Sequence, residues 1–292
     1  MAGRLIVNAD DFGRTPAVSR GIVQAHRQGI VTSTTVMVNQ PGIEAQMDEA
    51  LLCPGLGIGL HLVFTAWRPV LPPARVPGLV DERGFFLEQH SVWARAEEIP
   101  AAQLRAELEA QIERFRALAG RLPDHLDCHH FVHLYPPFFQ VYADLALENG
   151  LPLRVPFPPE TEFPRAARSL PFLEGFPRDL VRGMIATNSA LLRVRGLRHP
   201  DHFIGTFFGR EAVTVEGLTG LLEGLPEGTS ELMCHPGYDD GALSSSSYRL
   251  EREAELDVLT RAEVRATVRR LGIELVTFEG LGNGTPAHRQ RG

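Results

Sequence analysis

The sequence predicts an α/β fold built on a parallel sheet, and three observations predict it. The chain has 292 residues, enough for one α/β barrel of about 250 residues with excursions. Short apolar runs rich in β-branched residues alternate with segments of helical periodicity, the pattern of βαβ units. Asp and His side chains recur just past the ends of those runs: Asp10 and Asp11, His61, residues 127–129, and His235. In barrels of this class the active site lies at that face.

Each element follows from its own residues. Residues 4–9 form a buried strand that stops at Asp10-Asp11-Phe12-Gly13, a turn sequence. Residues 16–28 carry Val18, Ile22 and Ala25 at helical spacing and end at Gly29. The run IVTSTTVMV over 30–38 predicts a second strand, 43–52 a helix, and LGIGLHLV over 56–63 a third strand with His61 near its end. Residues 68–88 are rich in Pro and Gly and form an irregular excursion. Residues 101–118 predict an amphipathic helix with Leu104, Leu108, Ile112 and Phe115 on one face. A strand starts at 125–128, a helix covers 136–149, and a fifth strand covers 151–155. Residues 156–177 are crowded with Pro and read as a loop insertion. Beyond it, helices are expected over 187–195 and 214–222, and strands over 202–207 and 230–234. A long helix over 249–271 and a last strand over 274–277 complete the pattern. Residues 1–281 read as one domain with a variable region over 156–210, and 282–292 as a flexible tail.

Composition narrows the function. The chain is 43% hydrophobic and 22% charged, which excludes disordered and collagen-like classes. A net charge of -7 argues against a nucleic-acid partner, which would want a basic face. All 29 basic residues are Arg, so neither Schiff-base chemistry on a lysine nor a Walker-type phosphate loop is possible. Three widely spaced cysteines indicate neither a disulfide framework nor a CxxC zinc site. With no apolar run of about 18 residues and no signal-peptide core, a cytoplasmic protein without a membrane span is expected.

Taken singly, the polar clusters have plain explanations. A lone Asp-Asp pair often caps a helix, and a lone His in an apolar run is more often a satisfied core residue. Their conjunction at four strand ends is what points to chemistry. One Asp and two His with open positions suit a divalent ion that keeps water or substrate in its shell. Mg²⁺, Mn²⁺ and Zn²⁺ are all compatible with such a shell. Neighbouring residues cannot point the same way from an extended strand, so one Asp of the pair could bind metal while the other works as a base.

At these residues the sequence resembles the YdjC/ChbG-type carbohydrate deacetylases. The matching stretches are IVNADDFG (6–13), GIVTSTTVMVN (29–39), GLHLV (59–63), HLDCHHFVHLYP (125–136), MCHPGYDD (233–240) and ELDVLT (255–260). Residues 68–86 are similar to the hopanoid-associated HpnK-type branch. The resemblance implies an irregular TIM-like (β/α) barrel that removes the N-acetyl group from an acetylated amino sugar. It implies one divalent metal ion, with Mg²⁺ expected first and Zn²⁺ or Mn²⁺ as alternatives. By motif position its ligands are Asp11, His61 and His129, Asp10 matches the acid/base, and His235 matches the histidine of the family's CHP motif. The mechanism expected from the residues and the resemblance together has His235 protonate the leaving amine. A homodimer is also suggested. Where the family often has three His in a row, this chain has His129-His130-Phe131, and 156–210 matches poorly.

Arg154 is a candidate for a sugar hydroxyl or carboxylate, with an ordinary surface role as the alternative, and His133 for substrate or for support behind His129. Cys128 and Cys234 are expected in the wall. In or beside the two excursions lie Trp67, Phe85, Phe86, Trp93, Phe157, Phe163, Phe172, Phe207 and Phe208, aromatics that could stack on a glycan. Three rival readings stay open. One is a glycoside hydrolase pairing Asp10 with Asp127 or Asp239. Another is a metal-dependent phosphoesterase, and the third a sugar-binding protein without catalysis.

Overall fold

The computed structural model describes residues 3–157, 176–243 and 248–281. Seven parallel strands form one sheet, which curls into a half-barrel with helices around it. Strand β1 (Arg4–Phe12) is central. It pairs with β2 (Ser33–Val36) on one side and with β6 (Thr229–Cys234) on the other. Beyond β2 come β3 (Gly57–Leu62) and β4 (Leu126–Cys128); beyond β6 comes β5 (His202–Ile204). The short β7 (Glu274–Leu275) pairs with the start of β1. Strands β2, β3, β4 and β6 are buried along their whole length, and β1 from its second residue on, as expected of strands covered on both faces.

The helices start and stop where local chemistry says they must. In α1 (Pro16–Gln28) the Thr15 hydroxyl accepts from the Val18 amide at 3.2 Å, and Pro occupies the first turn. Helix α2 (Ile43–Leu51) precedes β3, and α3 (Gln89–Ala94) follows the first excursion. Helix α4 (Ala101–Ala119) buries Leu104, Leu108, Ile112 and Phe115 and ends at Gly120 with φ 69°. Helices α5 (Pro136–Glu148), α6 (Arg178–Arg195) and α7 (Val215–Glu223) follow. The expected long helix is two, α8 (Leu250–Thr260) and α9 (Ala262–Leu271), because Arg261 is extended at φ -60° and ψ 139°.

The fifth strand expected over 151–155 is an extended segment with a single parallel bridge, Leu153 to Leu126. Its amides and carbonyls still extend the sheet edge: Leu126 donates to the Pro152 carbonyl and Arg154 to the Leu126 carbonyl. Helix α6 begins nine residues before the expected start at 187. Most of the Pro-crowded insertion, and the tail from 282, lie outside the described residues. No helix among the described residues is long and apolar enough to cross a membrane.

One close approach ties the fold to the strand ends. A Cβ on Gly21 of α1 would stand 2.5 Å from the Gly237 Cα, just past His235. Only hydrogen at that position lets α1 seat the loop after β6.

Candidate active site

The Asp10-Asp11 pair sits where β1 breaks register with β2, between Ala9 and Phe12. Asp11 has φ 70°, a left-handed conformation rare outside glycine. This bulge lets the strand continue to Phe12 while the two carboxylates diverge, where sequence alone suggests a strand ending at residue 9. Strained backbone of this kind clusters at functional sites.

Asp11 turns towards the ends of β3 and β4. Its Oδ1 lies 3.6 Å from His61 Nε2 and 3.4 Å from His129 Nδ1, and those two ring nitrogens are 3.2 Å apart. The three ligand atoms converge within 4.8 Å, and all three residues are buried. Oδ1 of Asp11 is buried and has no hydrogen-bond partner within bonding geometry among the described residues. An orphaned carboxylate oxygen facing two imidazole nitrogens fits a cation about 2.0–2.2 Å from each donor. The residues present therefore fit a divalent ion.

Behind this trio stands Asp127, which the sequence marks only as a strand-end carboxylate. Its Oδ1 lies 2.7 Å from His61 Nδ1, and its Oδ2 accepts from Thr35 at 3.0 Å and Asn8 at 3.3 Å. Holding the Nδ1 proton leaves the Nε2 lone pair free to face Asp11. The parallel register, His61 opposite Asp127, delivers this contact.

Asp10 turns the other way. Arg154 grips it with two hydrogen bonds of 2.7 Å, Nη1 to Oδ2 and Nη2 to Oδ1, and Asn8 donates to Oδ1 at 2.9 Å. The same guanidinium lies 3.1 Å from Asp127 Oδ2 and donates to Glu231 Oε1 at 2.6 Å. This corrects the expectation that Arg154 meets substrate. It is 0% exposed, enclosed by three carboxylates. Asp10, His61 and Asp127 could also form a cation site, but Arg154 already supplies positive charge to both carboxylates. Asp127, fully engaged, is no free acid for a glycosidase either.

His133 lies in the interior rather than at an open surface. It is buried among Phe131, Phe139 and Tyr142, and neither ring nitrogen has a hydrogen-bond partner among the described residues. Cys128 and Cys234 are buried free thiols, as expected of the wall. His235, after β6, places Nε2 4.0 Å from Asp10 Oδ2. Its backbone amide donates to Glu255 Oε2 at 2.5 Å, and Tyr248 donates to Oε1 of the same carboxylate. Glu255 lies in a stretch that carries the resemblance but has no task there. Of the aromatics, Trp67 lies 5.8 Å from the His129 ring and Phe208 5.6 Å from His235. Phe86, Phe157 and Phe207 are core, while Phe163 and Phe172 lie outside the described residues.

Electrostatics separates the two aspartates from their surroundings. Burial raises the Asp10 carboxyl, but the Arg154 guanidinium outweighs it and lowers it to about 2. Burial likewise opposes ionisation of Asp11, and Arg252 with Arg14 overcomes it, so it sits well below its ordinary value. Burial pushes His235 down to about 4, and His129, His130, His133 and His125 down as well. His61 goes up, because Asp127 beside it outweighs burial.

These shifts predict how stability follows pH in the metal-free protein. Below about 6.5 the unfolded chain protonates five histidines that the folded chain holds neutral, so stability falls as pH drops. His61 runs the other way and offsets one of them. Burial raises Glu231 to about 7 and Glu255 to about 8, so their contribution is lost as pH rises through those values. Urea unfolding in chelator is expected to show maximal stability near neutrality, with a steeper loss on the acid side. A flat profile between pH 5 and 7 would contradict the buried neutral histidines.

Residues 4–270 match the family of YdjC-like proteins. A carbohydrate deacetylase of Brevibacillus brevis is 38% identical over 96% of this chain and 100% of its own length. The chain belongs to the YdjC-like family. A second relative, the chitooligosaccharide deacetylase of Proteus mirabilis, is 34% identical over 96% of this chain and 100% of its own. A crystal structure from Enterococcus faecalis, of a protein suggested to cleave cellobiose-phosphate, superimposes with TM-score 0.80 at 36% identity. That match covers 96% of this chain and 99% of the other. The YdjC-like fold is thus shared nearly end to end, and the diverging aspartates sit at its strand C-termini.

Proposed function

We propose that this protein is a metal-dependent carbohydrate deacetylase that hydrolyses the N-acetyl group of an acetylated amino sugar and releases acetate. The observation that carries the reading is the split at the β1 bulge. Asp11 joins His61 and His129 around one point, while Asp10, one residue earlier, faces His235. The names of the family relatives support the same chemistry.

Asp11, His61 and His129 would hold the ion. When bound, it supplies Lewis acidity and a water of lowered pKa. Asp10, ionised throughout the working range, accepts the proton of the attacking water. Arg154 fixes both Asp10 oxygens, so the base is oriented before substrate arrives. His235 Nε2, 4.0 Å from Asp10 Oδ2, is neutral at rest. It can take up that proton and deliver it to the nitrogen of the leaving amine. Trp67 stands beside His129 and the 42% exposed Phe208 beside His235, and both offer apolar faces that a sugar ring could use. Two imidazoles with one carboxylate suit Zn²⁺, Mn²⁺ or Co²⁺ better than Mg²⁺, which asks for oxygen donors.

The test is acetate release from N-acetylglucosamine oligomers and acetylglucosaminyl lipids, with and without chelator. Acetate is expected to appear, to stop on chelation, and to return with added divalent metal, first-row transition ions restoring more than Mg²⁺. New reducing ends that persist in chelator would favour a glycoside hydrolase instead.

A further inference from the structure

Helix α8 sends one arginine into the site. Arg252 is 1% exposed. Its Nη2 donates to Asp11 Oδ2, its Nε donates to the Tyr248 carbonyl at 3.2 Å, and its own carbonyl accepts from Gly237 at 3.1 Å. A second guanidinium, Arg14 from the turn after β1, reaches the same Oδ2 at 3.2 Å. The Asp11 carboxylate is therefore asymmetric. Two cations hold Oδ2, and among the described residues Oδ1 faces His61 and His129.

Stability does not account for this arginine. Nη1 is buried with no hydrogen-bond partner among the described residues, and leaving a charged donor unsatisfied costs free energy. Buried ion pairs are frequently no more stabilising than apolar side chains of the same volume. What the arrangement does achieve is orientation. A carboxylate free to turn can offer a cation both oxygens, and each extra donor takes up a place in the ion's shell. Catalytic sites keep such places open for water and substrate.

We infer that Arg252, assisted by Arg14, is a positioning residue that clamps Oδ2 and presents Asp11 to the divalent ion through Oδ1 alone. The inference rests on the metal reading of the site. It also gives α8 a double task, since Glu255, one turn further on, holds the His235 backbone.

The experiment is titration of Co²⁺ alone into chelator-stripped protein, followed by calorimetry and by the Co²⁺ visible spectrum, with circular dichroism to verify folding. Arg252→Met is expected to weaken Co²⁺ binding about ten- to hundredfold and to change the spectrum. Arg252→Lys keeps a charged donor and falls between the two. Arg14→Gln, at the rim of the site, is expected to weaken binding about two- to tenfold. Unchanged or tighter binding by folded Arg252→Met overturns the clamp. If that variant does not fold, unchanged binding by Arg14→Gln overturns it. Failure of the unsubstituted protein to bind Co²⁺ removes the metal reading and the clamp together, an outcome distinct from either.

Discussion

Asp10→Asn protein is expected to keep its divalent ion and to lose acetate release by about 10²–10⁴-fold, the usual contribution of a general base. The two effects separate because Asp10 and Asp11 face opposite ways across the β1 bulge. The substituted amide keeps the shape of the side chain but cannot accept the water proton. Arg154 would retain Asp127 and Glu231 as partners, so the guanidinium is not stranded. Some stability is nonetheless lost, since weakening one partner of a buried pair can cost about 3–5 kcal/mol. Activity is therefore compared at a temperature where both proteins remain folded by circular dichroism. Metal content, measured after gel filtration, decides the assignment. If Asp10→Asn loses its ion while Asp11→Asn keeps it, the two aspartates have exchanged roles.

Much of this site is legible in the sequence because its donors lie at strand ends, and strand ends are readable. Short runs of strand-forming or apolar residues mark β1, β2, β3 and β6, and polar residues at the ends of β1, β3 and β6 stand at the mouth. Asp10, Asp11, His61, His129 and His235 are all found that way and do come together. The layer behind them is not legible. Asp11 meets Arg252 across 241 positions, and His61 meets Asp127 across 66. Such contacts depend on how α8 and β4 pack, and they leave no local period or spacing. Arg154 shows the same limit from the other side. An arginine just past an apolar run reads as a surface or substrate contact, yet three carboxylates gathered from β1, β4 and β6 bury it completely.

Local strain escapes sequence reading as well. Nothing in Asp11, His130 or Phe131 announces a left-handed backbone, although Asp, Asn and His tolerate it better than most. The break at Arg261 is similar. The apolar positions of α8 and α9 continue each other's spacing, so periodicity predicts one helix. Packing resolves two, with α8 against α1 and α9 against α7.

His61→Ala is expected to remove the ion and the activity together, the largest loss of any single substitution here. His61 is the residue shared by both groups of facing side chains at the strand ends, the trio with Asp11 and His129 and the buried set with Asp10 and Asp127. Its two ring nitrogens divide the work: Nε2 faces the trio and Nδ1 faces Asp127 at 2.7 Å. Alanine leaves only Asp11 and His129 to hold a cation, fewer than the three protein ligands a catalytic site normally supplies. It also leaves Asp127 buried without its imidazole partner, although Thr35 and Asn8 still donate to it. Metal analysis after dialysis is expected to show about one ion per chain in the unsubstituted protein and almost none in the variant. Acetate release is expected to fall to the uncatalysed background at micromolar metal and to recover in part at millimolar metal. That concentration dependence separates a lost ligand from a lost base, because Asp10→Asn is not rescued by metal at any concentration. A His61→Ala protein that keeps a stoichiometric ion after dialysis would show that the ion is held somewhere other than between Asp11, His61 and His129.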